Sequence, residues 1–113
     1  MKSFQQVDSG RWPSGRGKAI AIIGAYPEGI QSRFGVMFRG GRDDLDSLQH
    51  AGIKLASGRS FLLMRYAGDG PGTSIEIDST DDSIQAFREF VETFDLDDSD
   101  FLLTPCMLAP EDL

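Results

Sequence analysis

The chain has 113 residues, 40% of them hydrophobic, with eight Phe, thirteen Gly, five Pro and a formal net charge of −7. That length predicts one domain with a core of its own, and the hydrophobic fraction excludes a wholly disordered chain. A single cysteine, Cys106, excludes an internal disulfide and a multi-cysteine zinc site, and no apolar run is long enough to span a bilayer.

The first ten residues carry no apolar stretch after Lys2 and do not read as a secretory signal, so the expected location is cytoplasmic, with Cys106 a reduced thiol. Residues 1–17 read as a flexible N-terminal segment leading into the domain. Within them, GRWPSGRGK places glycines and bases just before an apolar run. A phosphate-binding loop of the form G-x-x-x-x-G-K-[ST] fails here: with Gly17-Lys18 as its Gly-Lys pair, Trp12 stands at the first glycine and Ala19 at the magnesium-ligating hydroxyl. Arg11, Arg16 and Lys18 remain as a candidate anion patch. Trp12 is either an anchor onto the domain or a side chain offered to a partner.

KAIAIIGAY (18–26) reads as a buried strand, and YPEGIQS (26–32) as a turn set by Pro27 and Gly29. In RFGVMFR (33–39), Phe34, Val36 and Phe38 alternate with Arg33, Gly35, Met37 and Arg39, the period of a half-buried strand stopped by Gly40-Gly41. Residues 43–51 suggest a short helix, capped by Asp43 or Asp44, ended by Gly52 and carrying Leu45, Leu48 and Ala51 as its stripe. SFLLMRYAGDGPGTSIEID (60–78) predicts a hairpin around a Gly/Pro loop, its first strand apolar on both faces.

The strongest helix is 80–94, with Ser79 or Thr80 as cap and Ile84, Phe87, Val91 and Phe94 along one face. An acidic loop (95–100) and a last strand (101–104) follow. The predicted fold class is therefore α+β: one domain, a mainly antiparallel sheet of four to five strands, and helix 80–94 packed on one face.

Chemical motifs are sparse. A calcium loop starting at Asp95 fails at both positions that fix its geometry, where Asp100 replaces glycine and Cys106 replaces the bidentate glutamate. A catalytic arrangement would have to recruit His50, the single histidine, to a distant Ser or to Cys106, which nothing in the local sequence supports, and Cys106 has no neighbouring base. No catalytic residue, cofactor or metal is predicted.

Charge is the most informative feature. Residues 1–75 hold ten Lys/Arg against six acids, a net +4, whereas residues 76–113 hold twelve acids against Arg88 alone, a net −11. Asp81, Asp82, Glu89 and Glu92 on the helix, continuing into Asp95, Asp97, Asp98 and Asp100, form a candidate surface that repels nucleic acid and attracts a basic protein partner. Size, charge and layout are like those of small acidic inhibitors of nucleic-acid-processing proteins, including immunity proteins against nuclease toxins; no motif carries that likeness. A protein-binding module or inhibitor is the first expectation. A small-ligand or enzymatic domain with a pocket between helix and sheet is the second, and a homo-oligomer the third.

Overall fold

The computed structural model describes residues 2–8, 12–42 and 47–105. Its strands are β1 (Phe4–Val7), β2 (Gly17–Ile23), β3 (Arg39–Arg42), β4 (Ser47–Leu55), β5 (Ser60–Tyr66), β6 (Thr73–Asp78) and β7 (Phe101–Leu103). Two helices, α1 (Pro27–Phe34) and α2 (Ser83–Phe94), complete an α+β domain. The seven strands form one sheet in the order β1-β4-β5-β6-β2-β7, with β3 joining β4 along the edge that β1 also uses. Every pairing is antiparallel. The expected four to five strands are thus too few: β1, β3 and β4 were not read as strands, whereas 33–39 was read as one.

Alternation assigns the faces. Ala51, Ile53 and Leu55 on β4, Phe61 and Leu63 on β5, and Ile75 and Ile77 on β6 are all buried on the inner face. Helix α2 lies on this face through Ala86, Phe90 and Phe94, and its rings continue those of the sheet: Phe61–Phe90 at 5.2 Å, Phe90–Phe94 at 4.8 Å, Phe94–Phe4 at 5.1 Å. Helix α1 joins the same side, with Phe34 edge-on to Phe94 at 5.1 Å. Aromatic pairs at these separations add to the area they bury.

Four sequence expectations are corrected. Residues 47–51 of the proposed helix 43–51 belong to β4; Asp43, Asp44 and Leu45 lie outside the described residues. Leu48 and Ala51, meant to share a helical stripe, fall on opposite faces of a strand, and the period of two through Ala51, Ile53 and Leu55 prevails. The turn at 26–32 is instead the start of α1: Pro27 sits in the first helical turn, where a missing N–H costs nothing. The strand expected at 33–39 is instead the end of α1, its left-handed cap at Gly35 and the link to β3, which begins at Arg39, although Phe34 and Val36 are buried as expected. In α2, Asp82 rather than Ser79 or Thr80 caps the helix, accepting from the Gln85 N–H at 3.0 Å.

The connections explain what crosses the second face. β1, β5, β2 and β3 run one way and β4, β6 and β7 the other, so β1→β2, β2→β3 and β6→β7 each join parallel strands. The two helical crossovers use the inner face and share one hand. For the connection between strands ordered as β1 and β2 are, the same hand corresponds to the outer face. Its described ends do lie there. A Cβ on Gly52 would stand 2.8 Å from the Val7 carbonyl oxygen and 2.9 Å from that of Asp8, so the backbone leaving β1 closes over Gly52 on the outer face. Trp12, at the other end, rests on β6. Residues 4–7, inside the stretch read as a flexible leader, are a paired strand, and the Gln6 carboxamide also bonds both backbone groups of Met37.

Candidate functional site

The acidic residues of α2 and its flanks divide into two groups with different surroundings. At the N-terminal end, Arg59 from the β4–β5 turn reaches between two of them, its Nε 3.2 Å from Asp81 Oδ2 and its Nη1 2.8 Å from Glu89 Oε2. The Nη1 contact is misaligned for a hydrogen bond and acts as a charge contact. Ser57 donates to the other oxygen of Glu89. With Asp82 capping the helix, Asp81, Asp82 and Glu89 all hold structural positions.

The C-terminal group is Glu92, Asp95, Asp97, Asp98 and Asp100. Asp95 ends α2 in the left-handed region at φ 53°, the only non-glycine residue with positive φ among the described residues. The next turn is a capping box: Asp97 accepts from the Ser99 N–H at 2.8 Å, and Asp100 accepts from the Asp97 N–H at 2.9 Å. That N–H bond, assisted by the Arg33 guanidinium 3.1 Å away, holds the Asp100 carboxyl below the usual carboxylate range. Lys2 lies 3.4 Å from Glu92 with both side chains largely exposed. Asp95, Asp97 and Asp98 are exposed. No basic residue stands in the last turn of α2, so these acids collect at the negative end of the helix dipole.

The glycine-rich opening stretch is a docked turn. The Gly15 N–H donates to the Trp12 carbonyl at 2.8 Å, and the Trp12 indole N–H donates to Glu76 Oε1 at 3.0 Å. The Ser14 N–H meets Asp78 at 3.1 Å and the Ser79 N–H meets the Arg16 carbonyl at 3.0 Å. Donation from the Ser14 hydroxyl and from Thr80 holds the Asp78 carboxyl well below the usual range. Gly17 admits this close approach: a Cβ there would clash with both Glu76 and the indole. Of the anion patch, Lys18 is committed to the Asp81 carbonyl at 2.7 Å, Arg16 is exposed and Arg11 lies outside the described residues.

His50 sits on the outer face of β4, across from Met64 and Arg39. Cys106 lies outside the described residues. Among the described residues, no three His, Cys, Asp or Glu are grouped to hold a metal. The space between α2 and the sheet is filled by the phenylalanine rings. A cleft of about 380 Å³ lies elsewhere, beside Ile22, Pro71 and Leu102.

Sequence reasoning missed Arg59 as the hub of the N-terminal group, Glu76 as the anchor of Trp12 and Asp78 as the anchor of Ser14. Only the Asp-Ser-Thr run at 78–80, a side chain–backbone turn signal, pointed to the last. No family model, curated protein or solved structure matches the chain.

Proposed function

We propose that this chain is a non-enzymatic binding module, of the inhibitor or immunity type, that docks a basic protein surface through the acidic end of α2 and the loop after it. The observation that carries this reading is the placement of Glu92, Asp95, Asp97 and Asp98 at the negative end of a helix with no base in its last turn. Helix stability favours the opposite sign there, and local rules are broken most often where function requires it. Arg59 already neutralises Asp81 and Glu89 in half-buried positions, so the contact rests on the more exposed C-terminal group. Lys2 and Arg33 show the kind of group that satisfies it.

The test compares the wild-type chain with a D95N/D97N/D98N/D100N variant as baits in a lysate of the source organism, washed at low and then high salt. Asparagine keeps the left-handed and capping geometries while removing charge. A basic protein held by the wild type at low salt, released by high salt and lost by the variant supports the proposal. Equal retention by the variant sinks it. Retention of nothing by either bait turns attention to self-association or a small ligand.

A further inference from the structure

We propose that residues 12–16 form a latch on the outer face, which lifts as a unit while β2 and β6 stay paired and bares Gly17, Glu76 and Asp78. The latch has few attachments, and they all lead to one place. Trp12 reaches Glu76, the Ser14 N–H reaches Asp78, the Ser14 and Ser79 hydroxyls meet at 3.1 Å, and the Arg16 carbonyl receives the Ser79 N–H. Each of these bonds is exposed or half-buried, and none involves the core. The sheet beneath is held separately, by six residue pairs between β2 and β6 and by Ile75 and Ile77 buried on the inner face.

Breaking the latch therefore exposes one indole and a few polar groups, whereas breaking the sheet opens the core. Segments with this imbalance open locally at a small fraction of the global cost. Gly17 is the structural provision for the closed state, since any side chain there would push Trp12 off Glu76. Glu76 and Asp78 point to the same face two positions apart, so lifting the latch exposes two neighbouring carboxylates together, Asp78 keeping only its bonds from Thr80.

Amide hydrogen exchange on the full chain at neutral pH tests this. The Ser14 and Ser79 amides are expected to exchange at a common rate, about a hundredfold or more faster than the β5 amides. D78N and W12F should each raise both latch rates by roughly tenfold and leave β5 unchanged, the size of one charge-assisted hydrogen bond. Should W12F fail to fold, D78N, an exposed isosteric change, carries the test alone. Ser14 and Ser79 exchanging at unrelated rates, or at the β5 rate, overturns the proposal, as does equal acceleration of β5 by D78N.

Discussion

Arg59 holds Glu89 at 2.8 Å, fastening the β4–β5 turn to the middle of α2. The same guanidinium reaches Asp81, so one side chain from the sheet fixes both the approach to the helix and its second turn. These side chains are only 19–26% exposed, which limits solvent screening. Arg59→Ala is expected to lower stability by about 1–2 kcal/mol, because two half-buried carboxylates lose their counter-charge. Glu89→Gln should cost less, since Arg59 keeps Asp81. Urea unfolding of both variants checks the order, and equal midpoints for wild type and R59A would refute it.

Asp95→Gly should raise stability by roughly 0.5–1 kcal/mol, relieving a left-handed aspartate and removing charge from the negative helix end. The same change should weaken capture of the basic partner proposed above. A variant gaining stability and losing binding identifies Asp95 as kept for recognition. One that loses stability shows that Asp95 serves the fold.

Gly17→Ala should displace the latch with little global effect, because the atoms it meets are side-chain ends able to swing away. The expected loss is under about 1 kcal/mol, well short of that for overpacking a core. Trp12 is the sole tryptophan, so its fluorescence reports the displacement directly. An emission spectrum identical to wild type would contradict the prediction.

Acid should release the latch before it unfolds the sheet. The Asp78 carboxyl is depressed below its ordinary value of 3.8, so its contribution is complete above that pH and is lost as pH falls from about 4 toward its folded-state value. Trp12 fluorescence should therefore change below pH 4 while far-ultraviolet circular dichroism holds. In D78N that early change should vanish. Coincident transitions in the wild type would show that the latch and sheet melt as one.

How much of this was legible in the sequence depended on whether a local signal competed with a distant one. The β5–β6 hairpin was clear because its alternation and Gly/Pro loop agree, and α2 because about three turns of apolar spacing agree. The helix expected at 43–51 failed because Leu48 and Ala51 satisfy a helical spacing by coincidence, while the deciding constraint is pairing to β1 and β5. Pro27 misled in the other direction, since the same fixed φ suits a turn and a first helical residue. The acidic surface was legible as composition only. That it splits into a neutralised end at Arg59 and an exposed end after Phe94 depends on a residue more than twenty positions from either carboxylate.

Phe94 touches Phe4, Phe34 and Phe90, and Asp95 is the next residue in the chain. The exposed carboxylates therefore begin one bond beyond a junction where β1, α1 and α2 meet, and they stand on a stiff base. A surface mounted this way has little conformational freedom to surrender on association, so a partner would meet it already in its bound shape. Evolution could then exchange the acids one by one, retuning which cation pattern is accepted, without disturbing the ring cluster that holds them.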